Sequence, residues 1–156
     1  MKTIQELIPL IQQWAKDRNL NDHETQFEKI IEEFGERSKH ILLLKATDET
    51  LADKGYTRDD LTLMVKDDFG DMAVTVIIYC MQRSVRIDYG LSEFYHCRLR
   101  DLMRTLCDDD QLNMSLFDLD GLANLNGYDL TECLNMAWDE IKDRKGETKN
   151  GTFTKQ

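Results

Sequence analysis

Two short acidic runs hold the residues best suited to chemistry. One reads Glu32-Glu33-Phe34-Gly35-Glu36 and the other Asp67-Asp68-Phe69-Gly70-Asp71. On a helix, side chains three or four apart project from neighbouring points of one face. Glu33 with Glu36, and Asp68 with Asp71, therefore form two i,i+3 carboxylate pairs. If the two helices pack side by side, four carboxylates converge. Such a set repels itself and is costly to desolvate. A hard divalent cation relieves both penalties. Carboxylate oxygens from one or two pairs suit Mg²⁺, which keeps positions for waters and phosphate oxygens, with Mn²⁺ as the expected substitute. Asp71 also abuts Met72–Met81, the most apolar stretch of the chain.

Either run by itself reads equally well as a solvated helix face, with Asp67 and Asp68 favouring a helix N-terminus through its dipole. The shared acid-x-x-acid spacing, each with glycine before the last acid, favours a site. Glycine inside a helix costs about 1 kcal/mol, so Gly35 and Gly70 are expected to permit close approach of a helix or a ligand. Asp108-Asp109-Asp110 is a third acidic run, to which no function is assigned.

The elements that position these residues follow from apolar spacing. Ile4, Leu7, Ile8, Ile11 and Trp14 form one stripe of a first helix, about residues 3 to 18. A second helix is expected from about His23 to Lys45, capped by Asn21 or Asp22, with Phe27, Ile30, Ile31, Phe34 and Ile41 on one face. Residues 46 to 60 read as a polar loop with room for a short helical turn. From about Thr62 to Arg83 a third helix is apolar on nearly every side over MAVTVIIYCM, which predicts a central place in a bundle. A short helical pattern (Phe94, Leu99, Leu102, Leu106) lies within residues 88 to 110, followed by a polar stretch containing Asn126-Gly127. A last helix, about Asp129 to Arg144, carries Leu130, Leu134, Ala137, Trp138 and Ile141, with Gly146 as its expected C-cap. The expectation is one all-α domain over 1–145, with insertions at about 46–60 and 88–128 and a polar tail, 146–156, either mobile or docked on a neighbour.

Composition bounds the partners. The 156 residues suffice to bury roughly two-thirds of the unfolded surface around one core. Twenty Lys+Arg against 30 Asp+Glu give a net charge of −10, which argues against direct nucleic-acid binding. A phosphate substrate is compatible, because carboxylate-held metal mediates between negative partners. One proline and eight glycines favour helices over a turn-rich β fold. Four cysteines without a CxxC pair, and an N-terminus unlike a secretory signal, point to a reducing cytoplasm. No run is long enough to cross a bilayer as a helix.

QWAKDRNL, Gln26 leading into KIIEEFGE, KDDFGDMAV, AWDEIKDRKG and NGTFTK follow one another in an order that resembles the MazG-like all-α nucleoside triphosphate pyrophosphohydrolases, especially phage-encoded members. The resemblance covers about half the chain (roughly 8–45, 64–83 and 132–155). It implies a helical bundle forming a homodimer or homotetramer in a bacterial or phage-infected cytoplasm. It also implies Mg²⁺-dependent cleavage of a (deoxy)nucleoside triphosphate to monophosphate and pyrophosphate. The family's ExxE…ExxD metal motif falls on Glu33, Glu36, Asp68 and Asp71, with Glu32 as a further ligand or a support to one. Three departures stand out. Asp68 replaces the usual glutamate, the two motifs are further apart than usual, and Glu140 stands where many relatives have a lysine. Phosphate contact then falls to Arg144 with Lys142 or Lys145, which read equally well as cations at a helix C-terminus.

Trp14 and Gln26 lie in segments that the resemblance associates with substrate. Trp14 is a base-stacking candidate and, from its stripe position, equally a core residue; Trp138 reads as core. Asn135 is a candidate for hydrogen bonding to base or sugar. His23, His40 and His96 lack metal-ligand spacing and read as surface or satisfied polar groups. Asp118-Leu-Asp120-Gly121 fails as a calcium loop, because its glycine falls at the fourth position and a leucine takes a ligand place. No nucleophilic triad and no Walker-type glycine loop is present. Two rival readings accompany the hydrolase: a metal-dependent nucleotide sensor with little turnover, and a non-catalytic acidic helical adaptor.

Overall fold

The computed structural model describes residues 1–90, 95–149 and 152–155. The chain is an all-α bundle, closed at its end by a small hairpin. The helix α1 (Ile4–Asp17) begins in a capping box, Thr3 N–H donating to Glu6 Oε2 at 2.7 Å and Glu6 N–H to Thr3 Oγ1 at 3.2 Å. Next, α2 (His23–Leu43) starts at Asp22, whose carboxylate accepts from the backbone N–H groups of Glu24 and Thr25. The expected loop holds one short helix, α3 (Asp48–Asp53), before α4 (Arg58–Gln82).

The long helix α4 is the axis of the molecule. It packs against α2, α1 and two later helices, α6 (Ser115–Leu125) and α7 (Leu130–Ile141), which is why its apolar residues occupy every side. Met72, Ala73, Val76, Ile77 and Cys80 are fully buried. Because α4 begins at Arg58, Asp67 and Asp68 stand mid-helix, and the dipole account of them falls away.

The contacts of α2 with α4 run in opposite senses along the two chains. Phe27 meets the Tyr79 ring with centroids 5.5 Å apart, Gln26 Nε2 donates to the Thr75 carbonyl at 3.1 Å, and His40 reaches Asp68 at 2.7 Å. The two helices are therefore antiparallel neighbours, and both acidic runs lie at mid-length of one shared interface.

The two glycines differ. A Cβ on Gly70 would lie 2.4 Å from the Cys133 carbonyl oxygen and 2.9 Å from Ala137 Cβ, so this glycine lets α4 and α7 approach closely. Gly35 has nothing within 4 Å of where a Cβ would stand, so no neighbouring helix accounts for it. Gly35→Ala is expected to stabilise the isolated chain by about 1 kcal/mol, seen as a rise of about 2–4 °C in the unfolding midpoint. A fall would show that a second molecule packs there.

Several local expectations are corrected. Residues 112–125, read as a polar connection, form a 3₁₀ turn (Leu112–Met114) running into α6; the short α5 (Leu99–Leu106) precedes them. Ile31, assigned to the apolar face of α2, is 42% exposed. The last helix ends at Ile141, and Gly146 opens a strand instead of capping it. That strand, β1 (Gly146–Lys149), pairs antiparallel with β2 (Thr152–Lys155), so the tail is a hairpin. It docks on its own chain: Thr148 Oγ1 donates to the Arg18 carbonyl. Phe94 lies outside the described residues. Among the described residues no helix is long and apolar enough to cross a membrane.

Candidate carboxylate site

The antiparallel pairing of α2 and α4 brings the predicted carboxylates into one electrostatic neighbourhood. Both members of the α4 pair turn inward, but only one member of the α2 pair does. On α4, Asp68 is buried and Asp71 half-buried while Asp67 is exposed; on α2, Glu33 is half-buried and Glu32 and Glu36 are exposed.

Asp71 carries the largest effect. Burial, together with Glu33, Asp67 and Glu140 nearby, pushes its carboxyl up to about 7 against a partial offset from Arg144. Glu33 is raised by desolvation and by Glu36, Glu32 and Asp68, with Lys29 opposing at 3.7 Å. Asp67 is raised by desolvation and by Glu140 and Glu36, with Arg144 opposing. The concentrated negative charge that sequence spacing implies is therefore present, and it is centred on Asp71.

Asp68 has a different environment. Burial raises its carboxyl, but His40 Nδ1 lies 2.7 Å from its Oδ2 and pulls the other way. His40, read from sequence as surface or satisfied, is thus the direct partner of a predicted ligand. Its spacing from Glu33 (seven residues) and Glu36 (four) put it on their face of α2 from the outset. Arg37 was also missed. It is only 5% exposed, it stands over the Phe69 ring at 5.3 Å, and Asp68 and Tyr128 partly offset the burial that lowers its guanidinium. An arginine continuing the stripe Ile30, Phe34 and Ile41 was the available signal.

The remaining predicted residues divide. Arg144 reaches the carboxylates: it pairs with Glu140 at 2.9 Å and acts on both Asp67 and Asp71. Lys142 pairs with Asp139 at 2.6 Å on the surface, and Lys145 is exposed. Trp14 is 9% exposed, its Nε1–H donates to the Ile141 carbonyl at 2.9 Å and the Arg18 guanidinium covers its ring, so it serves as a core anchor. Gln26 is buried with its amide on Thr75. Asn135 is tied to the N-terminal arm through Lys2, donating to its carbonyl at 2.8 Å and accepting from its N–H at 2.9 Å.

Among the described residues no three His, Cys, Asp or Glu side chains are placed together to hold a metal ion. The donor chemistry nonetheless suits a hard cation. The groups around Asp71 are carboxylate oxygens, their charge is only partly relieved by Arg144 and Lys29, and Mg²⁺ usually takes only one or two carboxylates directly while keeping waters.

No protein-family model matches the chain, and no solved structure does. Among curated proteins it is similar to one from Haemophilus phage HP1 (strain HP1c1), described as an uncharacterized 18.2 kDa protein in the rep-hol intergenic region. The two are 33% identical over 88 residues, covering 54% of this chain and 44% of the relative, so the chain spans less than half of that protein.

Proposed function

We propose that the chain is a Mg²⁺-dependent pyrophosphohydrolase of nucleoside triphosphates, of the MazG-like type and acting in a bacterial or phage-infected cytoplasm as a homo-oligomer. The observation that carries this reading is Asp71, held up to about 7 between two antiparallel helices that each present an acid-x-x-acid pair. The similarity to a phage protein is compatible with it.

Glu33, Glu36, Asp68 and Asp71 would hold the metal, with Glu32 at the margin. A bound Mg²⁺ supplies charge neutralisation and polarises phosphoryl oxygens. The chain's own residues do the rest. Asp71 and Glu33 face each other from α4 and α2 and orient the attacking water by accepting its hydrogen bonds. The proton that this water gives up passes to a carboxylate oxygen of the set that the metal does not engage. Arg144 sits across from them and opposes the charge of the phosphates.

Product analysis on ribo- and deoxynucleoside triphosphates, with Mg²⁺ and with EDTA, tests the reading. The expected result is monophosphate and pyrophosphate, formed only with metal. Glu36→Ala should lower the rate by about a hundredfold or more with the helical spectrum unchanged. Diphosphate and free phosphate would mean the wrong bond. The engagement of Asp68 by His40 favours a second reading, a sensor that binds nucleotide with metal but turns over little. Metal-dependent binding without product formation would select it. Absence of both would leave the acidic adaptor.

A further inference from the structure

Arg37 stands within the interior stripe of α2, where a helix of a soluble bundle ordinarily carries an apolar side chain. It is 5% exposed, its Nε is buried without a hydrogen-bond partner, and it enters no ion pair among the described residues. Its stem can substitute for an apolar residue in packing. The Phe69 ring face, 5.3 Å away, offsets part of the desolvation of the cation. The terminal guanidinium nitrogens make no hydrogen bond to the protein among the described residues. Asp68 is the neighbouring carboxylate, but it lies beyond ion-pair distance and its Oδ2 is occupied by His40 at 2.7 Å.

A buried cation with unused donors is costly unless something anionic arrives to take them. The anion's character follows from the surroundings. Glu33, Glu36, Asp67, Asp68 and Asp71 make the region strongly negative, so a simple anion would be repelled. A polyphosphate carrying its own divalent cation would not be. Its cation is attracted to the carboxylates around Asp71, while its oxygens accept hydrogen bonds from a planar guanidinium fork.

We propose that Arg37 is a binding residue for metal-chelated polyphosphate, holding one phosphate group on the His40–Asp68 side of the carboxylate cluster while the cation lies toward Glu33 and Asp71. This deepens the hydrolase reading and rests on it for the identity of the natural ligand, though not for the binding itself.

The test uses the full chain and inorganic pyrophosphate with Mg²⁺, measured by titration calorimetry, beside thermal unfolding without ligand. Arg37→Met is expected to weaken pyrophosphate binding by about 10- to 100-fold and to leave the unfolding midpoint unchanged or higher, since it removes an unpaired buried charge. Arg37→Lys keeps the charge but loses the fork, and should weaken binding by about tenfold; it carries the test if the methionine variant does not fold. Pyrophosphate affinity unchanged in Arg37→Lys or Arg37→Met, or no binding by the wild-type chain, overturns the proposal. A lowered midpoint with unchanged affinity does so too, by making Arg37 structural. The two ideas separate cleanly. Binding that depends on Arg37 in a chain that cleaves no triphosphate keeps this inference and removes the hydrolase. Cleavage with the same KM in Arg37→Met does the reverse.

Discussion

Asp71→Asn should lower triphosphate turnover by about three orders of magnitude, which corresponds to about 4 kcal/mol of transition-state stabilisation, and yet make the metal-free protein harder to unfold. The second half follows from proton linkage. Asp71 binds its proton more tightly in the folded chain, up to about 7 against an ordinary 3.8. Below the lower value both states are protonated and the group is neutral in its effect. As pH rises through the window from about 4 to 7 the unfolded chain releases this proton while the folded chain still holds it, so stability falls, and above 7, with both ionised, the penalty is complete. Asparagine never ionises and escapes it. At pH 8 the variant is therefore expected to exceed the wild type by up to about 4 kcal/mol, narrowing to nothing near pH 3. Mg²⁺ should raise the wild-type midpoint at pH 8 and leave that of the variant nearly fixed. Unfolding curves at several pH values, with and without metal, check all three statements. A variant that melts lower at pH 8 would show that Asp71 is not held against repulsion.

Gly70→Ala should have the largest effect on the fold. The added methyl meets the Cys133 carbonyl oxygen at 2.4 Å and Ala137 Cβ at 2.9 Å, and neither can rotate away. The helices α4 and α7 must move apart, at a cost of about 3 kcal/mol, lowering the unfolding midpoint by about 6–12 °C. Activity should fall as well, because Glu140 and Arg144, at the end of α7 and just beyond it, face Asp67 and Asp71 across this contact. Urea unfolding and the rate at saturating substrate read the two effects separately.

What could be read from the chain beforehand depended on whether the partner of each residue was local. The stripe of α1, the Asp22 cap and the all-round apolar surface of α4 are properties of consecutive residues, and each was visible. The helix α6 was not, because Asp118, Asp120 and Gly121 in its interior imitate a turn. Those carboxylates are tolerated inside a helix only because distant hydroxyls satisfy them. Tyr95 and Thr105 each donate to Asp118 at 2.6 Å, and Tyr89 donates to Asp120 at 3.1 Å. The acidic pairs were equally legible from spacing, but how far each carboxylate turns inward depends on the angle at which α2 and α4 pack. The pairing of His40 with Asp68 spans 28 residues and left no local trace beyond its helical phase.

The seating of α1 has a consequence for how the molecule comes into being. This helix is anchored just before its start by Asn135 to Lys2, in its last turn by Trp14 to the Ile141 carbonyl, and at its end by Arg18 to the Arg144 carbonyl and by Thr148 to Arg18. Every one of these ties joins residues more than 120 positions apart. On the ribosome α1 is made before α7, and its seat is incomplete until residues 130–148 have emerged. Until then its apolar stripe lacks part of its cover, and such long-range closure is slow compared with the pairing of adjacent helices. Locking of α1 thus waits for α7 and the hairpin, and a nascent chain stalled before α7 would display Trp14 and its neighbours to chaperones and proteases.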